Sequence, residues 1–215
     1  ESIAVAEVSA FQLTTTDSFR PAVAVMTNIA EDHLDYHGGF EPYQAAKRRV
    51  WLKMESGDTV IINGDDPRIA EWPLPEGPTI ERFTLSDPKR GDAYLEGEAL
   101  WLGEERLMNR EALKLLGDHN VANALSAALA CRAMGVERPV IAEALAQYAP
   151  LAHRLQPVTR HQGVLWVNDS KATNPNAAMA GIKAITEPLI VLTGGSSKDA
   201  DFGPLGALLA ERAEA

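Results

Sequence analysis

The segment NIAEDHLDYHGG puts Asp32, His33, Asp35 and His37 within six positions, four side chains that can offer oxygen or imidazole nitrogen to a cation. The four-residue step between the histidines matches one face of a helix. A helical zinc protease, however, carries its general-base glutamate directly after the first histidine, and here Leu34 follows His33, with Gly38-Gly39 close behind. A hard cation such as Mg²⁺, shared with Glu7, suits this oxygen-rich set; the alternative is a solvated acidic loop. Glu7 lies in SIAVAEVSAFQL, where Ile3 to Val8 is short and apolar and reads as a buried strand. An unpaired carboxylate there costs several kcal/mol or keeps its proton, so it needs something to face. In PYQAAKRRVW, Lys47 stands one turn from Tyr43 and Trp51 and so on the apolar face of a helix. Such a lysine either extends its stem to put the ammonium in water or loses its proton. A neutral amine can capture carbon dioxide as a carbamate, which turns a cation into a carboxylate-like metal ligand.

Further along, LLGDHNVANALSAALACRAMG reads as a helix with Asp118 as candidate N-cap and Gly135 as its stop; Asn120 and Asn123 share a face at its start, where their amides can read a purine edge or cap the helix. WVNDSKATNPNAA runs from strand to loop to helix, with Asp169, Lys171 and Thr173 in the loop and helix amides behind it. That is a natural anion or sugar-phosphate corner. VLTGGSSKDADF repeats the arrangement, with Gly194-Gly195 allowing close backbone approach and Lys198 supplying charge, although most turns of this kind only connect strand to helix.

The elements that must hold these residues alternate. Strand patterns fall at Ile3–Val8, Ala22–Asn28, Thr59–Asn63 and Leu189–Leu192; helical patterns fall at Pro42–Met54, Asn120–Met134, Pro139–Tyr148, Pro175–Ile185 and Pro204–Arg212. The expected fold class is therefore α/β, with a mostly parallel sheet and helices. Asp92–Leu107 breaks into short alternating runs around Gly97-Glu98 and Gly103-Glu104, which predicts a small antiparallel meander. A domain boundary is expected near YAPLAHR, dividing 1–150 from 151–215, and a hairpin of Leu155–His161 with Val164–Asn168 should turn at Gln162-Gly163. Glu7, Asn28 and Asp169 all fall at expected strand ends, where open α/β sheets gather ligands.

The 215 residues are 46% hydrophobic and 23% charged, an ordinary globular composition. A net charge of −10 argues against a nucleic-acid partner. No run approaches the ~18 apolar residues of a membrane span. Cys131, the one cysteine, cannot form an internal disulfide, reads as a small core residue and fits a cytoplasmic setting. The abrupt start at a strand and the stop within a helical pattern suggest a portion of a longer protein.

Taken in order, EVSAFQL, TNIAEDHLDYHG, YQAAKRRVW, LLGDHNVANALSAALA, AHR, VNDSKATNPNAA and LTGGSSKDADF resemble the Mur ligase superfamily, and within it the branch that adds D-glutamate. NDSKATN discriminates, because the sister ligases and folylpolyglutamate synthetase differ at that corner. The resemblance covers nearly the whole chain. It implies a central mononucleotide-binding domain followed by the start of a Rossmann-like, amino-acid-binding domain. It implies ATP, two Mg²⁺ ions, carbamylated Lys47, UDP-N-acetylmuramoyl-L-alanine and D-glutamate, in a cytoplasmic enzyme expected to be a monomer. By the same resemblance Glu7, His33 and Lys47 are the metal ligands. Asn120 and Asn123 lie beside adenine, and Arg154 and Asp169 around ribose and phosphates. Lys171 and Thr173 contact nucleotide or amino acid, and Lys198 holds a D-glutamate carboxylate.

The chain departs from the family at Ala10, where a second serine is usual, at Ala152, where proline is usual, and at Ser196, where an acid is common. The family's glycine-rich phosphate loop ending in Lys-Ser or Lys-Thr does not occur in these residues, so the piece alone is expected to be inactive and to fold poorly. Two other readings remain open at this stage: a Mur-type ligase for another amino acid, and a non-catalytic nucleotide-binding relative.

Overall fold

The computed structural model describes residues 2–32, 34–195 and 200–214. The chain divides into two compact units, one formed by Glu1–Met108 with Ala122–Ile141 and the other by Asn109–Val121 with Ala142–Ala215.

The first unit opens with helix α1 (Ala10–Thr14). Ser9 starts it through a capping box: the Gln12 amide donates to Ser9 Oγ at 3.3 Å and the Ser9 amide to Gln12 Oε1 at 2.9 Å. Strand β1 (Val23–Met26) follows, then α2 (Leu34–His37) and α3 (Phe40–Arg48), the latter continued by a 3₁₀ turn at Arg49–Trp51. Strand β2 (Thr59–Asn63) is buried on both faces at Val60, Ile61 and Ile62, as an interior parallel strand requires. Helix α4 (Pro67–Ala70) starts from Asp66, whose carboxylate accepts the Arg68 and Ile69 amides, with Pro67 in the first helical position. Strands β3 (Thr79–Thr84), β4 (Ala93–Glu96), β5 (Ala99–Leu102) and β6 (Glu105–Asn109) complete a six-stranded sheet in chain order. β1 to β4 are mutually parallel, with Val23 opposite Thr59, Thr59 opposite Thr79 and Phe83 opposite Ala93. β4 and β5 are antiparallel, so the expected meander is present. The core of this unit includes Met26, Tyr43, Trp51, Ile62, Ile69 and Trp72, with the two indoles edge to face at 5.8 Å.

Helix α5 (Asp118–Ala133) buries Val121, Ala124, Leu125, Ala128 and Leu129, a stripe with helical spacing. It ends as the sequence suggests. Gly135 takes φ +79° and donates to Arg132 O, while the Val136 amide reaches Cys131 O at 3.0 Å. Helix α6 (Arg138–Gln147) follows. In the second unit β7 (Gln156–His161) and β8 (Val164–Asn168) form the expected hairpin, with Gln162 and Gly163 both left-handed at φ +48° and +83°. Helix α7 (Pro175–Ala184) starts from Asn174, which accepts the Ala177 amide at 2.8 Å, and α8 (Gly203–Arg212) ends the described chain. Among the described residues no helix is long and apolar enough to cross a membrane.

Four expectations need correction. Ile3–Val8 is not a strand; among the described residues no strand pairs with it, and Val5 is 96% exposed. Apolar alternation needs a ladder partner before it fixes an extended strand. Leu189–Leu192 likewise makes a single bridge among the described residues, Leu189 to Ala213, and leaves Leu192 86% exposed. Cys131 is exposed rather than a core residue, because it lies off the buried stripe of α5. Asp118 is the first residue of α5, not its cap; left-handed Gly117 precedes it.

Candidate functional site

Parallel strands bring their C-terminal ends to one rim, and in the first unit that rim is cross-braced by side chains. Asn63, ending β2, donates from Nδ2 to Thr27 O at 2.8 Å, which fixes the exit of β1. Asp66 accepts the Ile29 amide at 3.1 Å in addition to starting α4. The loop leading to Asp32 is thus held at two points. Asp65 collects the Leu85 amide at 2.6 Å, the Thr84 hydroxyl at 2.5 Å and the Ser86 hydroxyl, joining the ends of β2 and β3. Burial pushes the Asp65 carboxyl up, but these donors outweigh it and hold it below its ordinary value. Sequence reasoning passed over Asn63, Asp65 and Asp66; NGDDP, directly after an apolar run, was the available signal.

Beyond the rim, α1 packs against α3. Aromatic rings line this contact: Phe11 lies 4.5 Å from Tyr36 and 5.4 Å from His37, and His37 meets Tyr43 edge-on at 5.3 Å. Lys47 crosses the Tyr43 ring with Nζ 5.8 Å from its centroid. The apolar-face position expected for Lys47 is therefore observed, in a half-buried setting. Tyr43 itself is buried, and burial together with the negative charge of Asp32 raises its phenol above the ordinary range, so it stays protonated. Arg48 pairs with Glu41 at 2.8 Å, and Arg49 donates to Leu13 O at 2.8 Å, leaving Lys47 with no carboxylate ion pair among the described residues.

Glu7 is exposed, two residues before the Ser9 cap. Its setting is an open segment, so the burial from which its need of a partner was argued is not present. His33 and Lys198, named as a metal ligand and a D-glutamate contact, lie outside the described residues, as does Ser196. Among the described residues no three His, Cys, Asp or Glu side chains cluster as a metal site. The donor chemistry nevertheless suits Mg²⁺. Glu7 offers carboxylate oxygen, and Lys47, without a carboxylate ion pair among the described residues and set over an aromatic face, would offer a second such group as a carbamate.

In the second unit, Arg154, Asp169 and Lys171 are brought together. Asp169 Oδ1 accepts the Leu155 amide at 2.9 Å, and the Lys171 amide donates to His153 O at 3.0 Å. The Lys171 and Thr173 side chains are exposed on the same loop, with Thr173 N–H on Lys171 O. Asn120 Nδ2 donates to Leu116 O at 2.7 Å, so this amide is engaged with backbone at the start of α5. Asn123 lies in the next turn, and its carbonyl accepts the Ser126 hydroxyl. Sequence reasoning did not single out Gln156 and Asn168, which contact the same turn; Asn168 stands directly before Asp169 in NDSK.

Comparison with known proteins agrees with this architecture. Residues 1–131 match the Mur ligase middle domain. UDP-N-acetylmuramoylalanine–D-glutamate ligase of Nitrosospira multiformis is 38% identical over 98% of this chain and 45% of its own length. Among solved structures, UDP-N-acetylmuramoyl-L-alanyl-D-glutamate–2,6-diaminopimelate ligase superposes with TM-score 0.64 at 23% identity, over 96% of this chain and 45% of that one. Escherichia coli FolC, solved with DHPP and ADP, gives TM-score 0.63 at 26% identity over 90% of this chain and 46% of that one. The chain spans about half the length of the curated relatives it matches. A family match over more than half its residues, on a parallel sheet with a braced C-terminal rim, means that this chain belongs to the Mur ligase family through its middle domain.

Proposed function

We propose that this chain is the nucleotide-handling part, and a portion of the amino-acid-handling part, of an ATP-dependent ligase. The ligase joins D-glutamate to UDP-N-acetylmuramoyl-L-alanine. The observation that carries this reading is the 38% identity to a D-glutamate ligase over 98% of the chain. The NDSKATN corner supports it. In this reading residues 1–150 are the central ATP-binding domain and 151–215 open the amino-acid-binding domain.

The reaction begins when the terminal carboxylate of the UDP-linked substrate attacks the γ-phosphorus of ATP, releasing ADP and leaving an acyl phosphate. The D-glutamate amine then adds to the acyl carbon, loses a proton, and inorganic phosphate departs as the amide forms. Glu7, His33 and carbamylated Lys47 would hold two Mg²⁺ ions. When bound, these supply positive charge against the oxygens that crowd together as carboxylate meets phosphate. The Tyr43 ring beneath Lys47 limits where its amine can point. Arg154, exposed and without an ion pair among the described residues, presents a guanidinium fork suited to phosphate oxygens. Asn120 and Asn123 would flank adenine, Lys171 and Thr173 would meet nucleotide or amino acid, Asp169 would order the loop around ribose and phosphates, and Lys198 would hold a D-glutamate carboxylate. A net charge of −10 accords with small anionic ligands held locally rather than with nucleic acid. The protein is taken to be cytoplasmic and monomeric.

The test uses the full-length protein with ATP, UDP-N-acetylmuramoyl-L-alanine and a panel of amino acids. Phosphate release is expected with D-glutamate and only at background with L-alanine, L-lysine or diaminopimelate. Turnover with one of those instead of D-glutamate would assign the chain to a different Mur-type ligase, and no turnover with any would favour a non-catalytic relative.

A further inference from the structure

Arg154 sits between two residues whose backbones have no glycine to ease them. His153 has φ +69° and Leu155 φ +40°. The left-handed region is unfavourable for residues with a side chain, and two such residues within three positions are held by their surroundings rather than by their own preference. The bonds that do so lie around the turn. The His153 amide donates to Gln156 Oε1 at 3.0 Å. Asn168 Oδ1 accepts the Ser170 amide at 3.1 Å, which turns Asn168 Nδ2 toward His153 Nδ1, 3.0 Å away. With Asn168 donating, His153 Nδ1 is the acceptor and its proton resides on Nε2. Asp169 takes the Leu155 amide, and His153 O takes the Lys171 amide. The Leu155 side chain is buried, while Arg154, whose own amide reaches Leu151 O at 3.1 Å, is left exposed.

We propose that Gln156 and Asn168 are positioning residues. They lock the His153–Leu155 turn in its left-handed form and thereby hold the Arg154 backbone in the position from which its guanidinium reaches the phosphates of the nucleotide. This rests on the reading of Arg154 as a nucleotide contact. Pre-ordering matters because a ligand meets reduced affinity in proportion to the fraction of molecules in the competent turn.

In the full-length enzyme, Gln156→Ala and Asn168→Ala should each raise KM for ATP roughly tenfold, as expected if about a tenth of molecules keep the turn, with kcat within about twofold. Gln156→Glu, which keeps the acceptor, should retain wild-type values. Adding Asn168→Ala to Arg154→Ala should cost nothing further, because the amide acts through the arginine. A second readout needs no activity: trypsin should cut after Arg154 in both alanine variants much faster than in wild type, while cutting after Arg160 stays unchanged. Additive losses in the double variant would overturn the proposal, as would unchanged cleavage after Arg154. If Arg154→Ala leaves KM for ATP unaltered, the nucleotide contact is wrong, and the trypsin result then decides the brace by itself.

Discussion

At Asp65 one carboxylate serves three donors from the neighbouring strand end, including the hydroxyl of Thr84, which is 1% exposed. Replacing Asp65 by alanine takes this acceptor from the buried Thr84 hydroxyl, whereas the Leu85 amide and the Ser86 hydroxyl lie where water reaches them. A loss of roughly 1–3 kcal/mol is expected, read as a lowered urea midpoint. The same scale shows why some residues were legible in sequence and others were not. Lys47 could be placed because its helical spacing from Tyr43 and Trp51 fixes its face, and the structure sets it over Tyr43. The burial of Glu7 was misread, since it was inferred from Ile3 and Val5, which are themselves exposed. Gln156 and Asn168 were invisible because their roles arise from backbone angles at His153 and Leu155, which no residue type announced.

Among elements, β2 was readable to the residue. Within TVIIN the consecutive Val60, Ile61 and Ile62 are all buried, and an interior parallel strand covered on both faces shows no polar alternation. Ile61, fully buried there, should lose about 2–5 kcal/mol on truncation to alanine, measured by chemical denaturation. β3 escaped notice because Glu81 and Arg82 interrupt its apolar pattern; in the fold Arg132 pairs with one carboxylate oxygen of Glu81 at 2.8 Å. The hairpin of β7 and β8 was legible through Gln162-Gly163, whose left-handed angles the ribbon's twist requires. Ile3–Val8 and Leu189–Leu192 failed for one shared reason: strand character in a short apolar segment depends on a neighbour, which local sequence does not contain.

For the molecule as a whole, acid is the condition that discriminates. Asp58 accepts from Arg20 Nε at 2.8 Å and from the Glu55 amide at 2.8 Å, and these bonds hold its carboxyl below the usual carboxylate value, as the donors around Asp65 do there. Both groups therefore bind protons more weakly folded than unfolded. Their contribution is complete above the unfolded carboxylate value, about 3.9, and disappears as pH falls through the lower folded values. Urea midpoints should change little between pH ~7 and ~5 on this account and drop below pH ~4, and Asp58→Asn should shallow that drop. The α/β class and the order of motifs were readable from the chain, whereas the interleaving of its two units was not, because 109–121 joins a body formed mainly by residues after 142. One feature of α5 has a practical reach. Cys131 is the sole thiol in the chain and faces solvent, so a maleimide dye attaches at a single address. Its fluorescence then becomes a reporter on that helix without any engineering of the sequence.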